Sequence, residues 1–415
     1  MGRAADGRPP GGCRSDGTSP SETASLRGRF VRSFHRGVTR RRVLVVFVDA
    51  FGPRQLERFG SRLAYLGHRK QLEGVLGYTS GALPTVLTGT EPAVHGRMCL
   101  FSEHRTGEAH LLAPLRWMGL LPRALHERRR FRALAERWLA FRHGLSGYVA
   151  LHKVPPEHFR WLDLPEREDL FEAREIGGAP TFLSRAREAG LSVYASPWRM
   201  AEPARWREAL EVLGRKRPDF AFLYCAELDA VLHREGNQGP GAEDAMERIA
   251  AYVAAARERL AEDGGELTTF VVGDHGMADI RSTIDPRPAL ASLPSIRVFV
   301  DSTMLRCWGT LPELGRARSL IERRGWPGRW MDREALVRAK APTRDGRYGD
   351  ALFLLDEGVM FAPSYLGGAA AGMHGYDVRA ASCFAGLASD HPLPTTCGSL
   401  SDLAPLVTKT LGIAS

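Results

Sequence analysis

Four short apolar runs punctuate the chain, at Val43–Val48, Ser192–Ala195, Phe220–Cys225 and Thr268–Val272. Their length and their content of β-branched and aromatic residues predict strands. Between them, apolar positions recur at helical spacing over Ala201–Leu213 and Ala242–Ala261, which predicts helices with one buried face. Nearly continuous apolar strands alternating with amphipathic helices point to a mostly parallel sheet covered on both faces, and so to an α/β sandwich. A smaller strand–helix–strand unit follows, from Arg297–Val300 through a helix at Leu311–Arg324 to Leu352–Leu355. It reads as an α+β cap over about 297–365. Residues 100–180 carry weak strand signal and several prolines, and read as a helical insertion. Residues 1–40 are rich in Gly, Pro, Ser and Arg without periodicity, and read as a disordered basic tail. The catalytic-sized domain is then 41–415.

Composition narrows the class. At 415 residues, 44% hydrophobic and 25% charged, the chain is too long for a disulfide scaffold and too ordinary for a fibrous or disordered protein. No apolar run near the start is long enough to span a bilayer. The Arg-rich start has weak features of a transit peptide or a twin-arginine signal, but its apolar run breaks at Asp49 and no cleavable leader follows. The six cysteines are scattered and read as reduced thiols, so the expected setting is cytoplasmic.

The net charge of +9 is local: residues 1–42 carry +7, residues 116–143 carry +6, and the remainder is −4. Within 116–143, Phe131, Leu134, Ala135, Trp138 and Phe141 fall at helical spacing beneath Arg128, Arg129, Arg130, Arg132 and Arg137. The plain reading is an amphipathic helix with a solvated basic face. The alternative is a surface for an anionic substrate or for peripheral membrane contact. No nucleic-acid-binding module accompanies the charge.

Three of the apolar runs lead to acids: Val43–Val48 to Asp49, Phe220–Cys225 to Asp229, and Thr268–Val272 to Gly273-Asp274-His275-Gly276. Open parallel sheets bind ligands beyond the carboxyl ends of their strands. Three acids at that edge repel one another unless a cation sits between them. Histidines accompany them: His233 four residues after Asp229, His275 beside Asp274, and His374 in a glycine-bounded loop. Three Asp and three His suffice for two divalent ions, most simply Zn2+, and are too nitrogen-rich for a Ca2+ or Mg2+ cage. Gly77-Tyr78-Thr79-Ser80-Gly81 precedes a short helix in which Pro84 fits the first turn and Gly89 the C-terminal cap. Thr79 then sits near a helix N-terminus, where an oxyanion is favoured, with Ser80 as the competing nucleophile. His95 reads as structural, Glu227 as a capping acid or a neighbour of the ligands, and His35, His104 and His110 as surface residues.

The order Asp49, Thr79, Thr88-Gly89, Pro92-Ala93-Val94-His95-Gly96, Asp229-x-x-x-His233, Asp274-His275-Gly276-Met277, His374-Gly375-Tyr376 resembles the alkaline phosphatase superfamily. Within it, the type I phosphodiesterase/nucleotide pyrophosphatase family is most similar, over about Arg42 to Phe384. The resemblance implies one ion held by Asp49, Asp274 and His275, with Thr79 bound to it, and another held by Asp229, His233 and His374. It also implies Thr79 as nucleophile, ten residues before the glycine of the Thr-Gly pair, and a phosphothreonine intermediate that water hydrolyses. The chain departs from the family at Ala82, where an Asn often helps hold a phosphate oxygen. The sulfatase branch is excluded, since the loop lacks its C/S-x-P-x-R context. The implied substrate is a small phosphodiester or pyrophosphate, a nucleotide or a lipid headgroup. The alternatives are a phosphotransferase using an acceptor alcohol, a phosphomonoesterase, or a non-catalytic lipid-headgroup-binding protein.

Overall fold

The structure, a computed structural model, describes residues 41–413. The expected tail, with Cys13 and His35, lies outside the described residues. Six strands form the main sheet: β1 (Arg41–Val48), β2 (His68–Leu72), β3 (Val193–Ala195), β4 (Phe220–Cys225), β5 (Glu266–Val272) and β6 (Ala385–Ser389), in the spatial order β2-β6-β5-β1-β4-β3. Central β1 is buried beyond its first residue, and its side chains alternate between two cores. Leu44, Val46 and Val48 pack in the core of Ile249 and Val253 on the helix Gly241–Ala261, whereas Val43, Val45 and Phe47 share a core with Val86 and Leu87 on the helix Thr79–Thr88. Both faces are therefore covered, as the apolar runs require.

The four predicted strands form within two residues of the expected bounds, and the helices at 202–216 and 241–261 match closely. Two strands carry no sequence signal. β2, His-Arg-Lys-Gln-Leu, lies at the sheet's edge with mostly exposed side chains. β6, Ala-Gly-Leu-Ala-Ser, is too small-residued to read as a strand, and it runs antiparallel to both β5 and β2, which makes the sheet mixed.

The later unit is a four-stranded antiparallel sheet in the order Arg297–Val300, Met304–Trp308, Ala351–Leu355, Gly328–Met331, with the helix Leu311–Arg324 as expected. Fully buried Arg306 joins it to the insertion: its Nε donates to Asp301 at 2.6 Å and its Nη1 to the Phe101 carbonyl at 2.8 Å. Phe101, Leu115, Leu139, Phe159 and Leu162 share a core with Phe299 and Trp308 of this sheet. Leu170, Phe171 and Ile176, in contrast, pack against the main sheet. By packing, the insertion therefore ends near residue 164.

The helix Arg129–His143 keeps Arg128, Arg129, Arg130 and Arg137 exposed as expected, but most of the expected apolar face is not buried. Its buried residues are Arg132, Ala135 and Leu139, while Leu134, Trp138 and Phe141 are exposed. Arg132 is drawn inward because its guanidinium meets a cluster of carbonyls: Nη1 donates to those of Leu151, His152 and Val154, and Nε to that of His126, while the Leu151 carbonyl also accepts the Val154 N–H. His104 and His110 are also not simple surface residues. Their rings stack at 4.0 Å, and His104 Nδ1 lies 3.4 Å from buried Asp163.

His95 is structural, as expected. Its Nδ1 accepts the Arg97 backbone N–H at 3.1 Å, so the proton sits on Nε2, which donates to Thr85 Oγ1 at 2.9 Å. Burial, reinforced by the Arg97 charge, pushes its pKa from 6.5 down to about 3. The folded state thus holds a neutral imidazole that the unfolded chain protonates near pH 6.5. The stabilisation is complete above that pH and is lost as pH falls toward 3, by up to about 1.4 kcal/mol per pH unit. His95→Gln keeps a donor for Thr85 and an acceptor for Arg97 without the titration. Its melting temperature should fall less steeply than that of the wild type between pH 6.5 and 5, as followed by circular dichroism; equal slopes would refute the assignment.

Candidate active site

β1, β4 and β5 run parallel in a register that pairs Val48 with Cys225 and Phe47 with Val272, so all three end at one edge of the sheet. Asp49 follows β1 directly. Asp229 is the third residue of the helix Glu227–Glu235 after β4, and His233 comes one turn later. Asp274 and His275 follow β5. His374 follows the two-residue strand Gly372–Met373, which pairs with Ala278–Asp279.

Each buried aspartate uses one oxygen for anchoring and leaves the other unpaired. Asp49 Oδ2 accepts the Tyr224 hydroxyl at 3.0 Å, and its Oδ1 has no partner. Asp274 Oδ1 accepts the backbone N–H groups of Ala50 and His275, and its Oδ2 has none. Asp229 Oδ1 is likewise buried and unpaired. Two of the three imidazoles repeat the arrangement. His233 Nδ1 donates to the Gly372 carbonyl at 2.8 Å and His275 Nδ1 to that of Gly276 at 2.9 Å. Because a carbonyl only accepts, Nδ1 of both rings bears an N–H, which makes Nε2 the lone-pair atom of the neutral ring. That of His275 faces Asp274 Oδ2 at 3.2 Å and Asp49 Oδ1 at 3.5 Å; that of His233 faces Asp229 Oδ1 at 3.3 Å. His374 stacks on His275 at 3.6 Å, with Nε2 3.8 Å from Asp229 Oδ1.

Without a cation this grouping is electrostatically unfavourable. Burial, then the charges of Asp274 and Asp229, holds the Asp49 carboxyl well above its usual range. Burial raises Asp274 against the pull of His275. Burial and the neighbouring His275 and His233 push His374 well below the usual histidine value.

Two compact donor groups result, with donor atoms within 4.8 Å of one another: Asp49, Asp274 and His275, and Asp229, His275 and His374. The first is the trio expected from sequence. In the second, His275 stands where His233 was expected, so His275 is common to both, and His233 adjoins through Asp229.

Thr79 opens the helix Thr79–Thr88, half-buried, with its Oγ1 3.1 Å from His275 Nε2. Ser80 points away, donating to the Met98 carbonyl at 3.4 Å. The helix begins earlier than Pro84 suggested: Pro84 lies inside it, while Gly89 caps it with φ of 70° as expected. The N–H groups of Gly81 and Ala82 both return to the Tyr78 carbonyl, which leaves those of Thr79 and Ser80 as the helix's open donors. Ala82 is buried in the apolar core and offers no polar group where the family often has Asn. Glu227 pairs with Arg248 at 2.5 Å and has no part in the cluster.

Two supporting tyrosines carried no signal that sequence reading used. Tyr224 orients Asp49; its position next to last in β4 is the cue that was available. Tyr78 lies edge-on to His374 at 5.6 Å, and its hydroxyl bonds Thr303, which donates to the Gly375 carbonyl at 2.6 Å. Gly375 has φ of 88°, and a Cβ there would lie 2.6 Å from the Tyr78 ring, so only glycine brings this loop so close.

The fold is shared with human ectonucleotide pyrophosphatase/phosphodiesterase 5, at a TM-score of 0.63 and 15% identity over 90% of this chain and 96% of that one. The murine protein of the same name gives 0.63 at 16% identity, and its inactive variant in complex with AMP gives 0.62 at 16%, with the same coverage. No curated protein sequence matches the chain. The type I phosphodiesterase/nucleotide pyrophosphatase family matches residues 159–377, which hold Asp229, His233, Asp274, His275 and His374. The chain therefore belongs to that family, within the alkaline phosphatase superfamily, and is a hydrolase of the phosphodiesterase/nucleotide pyrophosphatase type.

Proposed function

We propose that the chain is a metal-dependent hydrolase of small phosphodiesters or pyrophosphates that works through a phosphothreonine on Thr79. The carrying observation is the convergence of three unpaired carboxylate oxygens with imidazole lone pairs. Such donors suit divalent ions of the Zn2+ type, with Asp49, Asp274 and His275 serving one position and Asp229, His233 and His374 the other. When bound, the ions supply charge neutralisation at the phosphoryl group and a lowered pKa for a coordinated hydroxyl or water.

Thr79 Oγ1 loses its proton to solvent and forms the new bond to phosphorus. The leaving oxygen departs with the electron pair of the broken P–O bond. The open N–H groups of Thr79 and Ser80, at the positive end of the helix, receive a non-bridging oxygen in place of the absent Asn. Water then cleaves the phosphothreonine and returns a proton to Thr79. The AMP complex of the murine neighbour supports a nucleotide substrate; a lipid-headgroup diester is the other class to assay. The five described cysteines, all buried and unpaired, support a reducing, cytoplasmic setting.

Initial rates on bis(p-nitrophenyl) phosphate should exceed those on the p-nitrophenyl monoester. Thr79→Ala should lower diester turnover by at least about 10³-fold, and Ser80→Ala by far less. Turnover that survives in Thr79→Ala would overturn the nucleophile assignment. Faster release of nitrophenol on adding an alcohol, with the phosphoryl group captured on it, would establish the transferase alternative.

Metal content separates the ion assignment from the chemistry. By elemental mass spectrometry Thr79→Ala should retain both ions, and Asp274→Asn and Asp229→Asn should each lose about one equivalent. Chelation should lower the melting temperature of the wild type, and Zn2+ should restore it. Unchanged metal content in both Asp variants would refute the assignment.

A further inference from the structure

We infer that the outer face of the insertion, formed by Leu120, Leu134, Trp138 and Phe141, docks on an anionic membrane surface. These side chains are 88%, 64%, 44% and 89% exposed, although the same helix buries an arginine. At 3.6 residues per turn, Phe131, Leu134, Trp138 and Phe141 fall within about 80° of the circumference, beside the inward arc of Arg132, Ala135 and Leu139. Trp117, itself 46% exposed, meets Phe131 edge-on at 6.2 Å and extends the patch to the neighbouring turn of Ala113–Leu120.

Charge identifies the occupant. Arg130 and Arg137 follow the stripe along one edge, with Arg142 and Arg116 nearby, all exposed and without an ion pair among the described residues. The segment 116–143 carries +6, whereas the chain outside it and outside residues 1–42 carries −4. A second copy is disfavoured, because two-fold self-docking would set one such basic segment against another. Nucleic acid would use the arginines and leave Leu134 and Phe141 without a role. An anionic bilayer uses both: aliphatic and aromatic side chains enter the boundary between headgroups and acyl chains, Trp settles at headgroup level, and arginines meet lipid phosphates. Among the described residues no helix is long and apolar enough to cross a membrane, so this contact lies on the surface. The inference does not depend on which diester is cleaved.

The test is co-sedimentation of the full chain with vesicles of phosphatidylcholine alone or with 3:7 phosphatidylglycerol. The wild type should bind the anionic vesicles at least about tenfold more tightly and be released by high salt. Leu134→Ser with Phe141→Ser, which leaves net charge unchanged, should weaken that binding about tenfold or more while turnover of a soluble diester is retained. In parallel, the vesicle-induced blue shift of tryptophan emission should diminish in Trp138→Phe. Undiminished binding by the Ser double variant together with an unaltered shift in Trp138→Phe would assign any lipid affinity to charge elsewhere and overturn the inference. So would a wild-type dimer that the Ser double variant dissociates, or tighter binding to an oligonucleotide than to the anionic vesicles.

Discussion

Six donor groups brought to one sheet edge, none of them paired with a lysine or arginine among the described residues, are the constraint from which the rest of the structure follows. The unpaired oxygens of Asp49, Asp229 and Asp274 and the lone pairs of His233 and His275 all face the same region. The fold holds three of them through backbone bonds to the other atom of the group, Ala50 for Asp274, Gly372 for His233 and Gly276 for His275, and Asp49 through the Tyr224 hydroxyl. Anchoring one end of a ligand fixes the direction of the other, which is how outer partners tune a metal site. Even the strain is local: Ala50, between Asp49 and the bend that follows, takes a positive φ of 62°.

The rest of the molecule serves that edge. β1 is buried on both faces, so its end cannot shift without disturbing two cores. The helix that carries Thr79 is clamped from below by apolar packing of Ala82 and Val86 and laterally by the His95–Thr85–Gly81 hydrogen-bond chain. Ala82 therefore contributes to rigidity where a family member with Asn gains a phosphate contact. On the proposed mechanism, the two open N–H groups at the start of the helix then carry more of the anion's charge.

Much of this was legible in the sequence. Apolar strands ending in acids, and His233 one turn after Asp229, express backbone periodicities that survive folding. Asp49 and Thr79 lie outside the stretch that matches the family, yet the resemblance already set them with His275, and the structure brings Thr79 Oγ1 to 3.1 Å and Asp49 Oδ1 to 3.5 Å from its Nε2. What stayed hidden depended on tertiary choice. β6 is a strand because its neighbours leave hydrogen-bonding room, whatever its own propensity. Arg132 is buried because a cluster of carbonyls lies beside it, and that turned the helix so that Leu134 and Phe141 face outward. His275 between two donor groups is likewise a matter of distance; the family resemblance divides the residues differently.

The wide separation of the donors along the chain bears on how the enzyme matures. Asp49 emerges early in synthesis, whereas His374 and β6 come more than three hundred residues later. β6 inserts between β5 and β2, and the helix Leu403–Leu411 packs its Leu403 and Val407 into the core under β1. Contacts of such long range form slowly, because loop closure must precede them. A nascent or truncated chain thus presents acids and a hydroxyl without the histidine loop that completes them. On the proposed mechanism its hydrolytic capacity is withheld until the histidine loop and β6 have emerged.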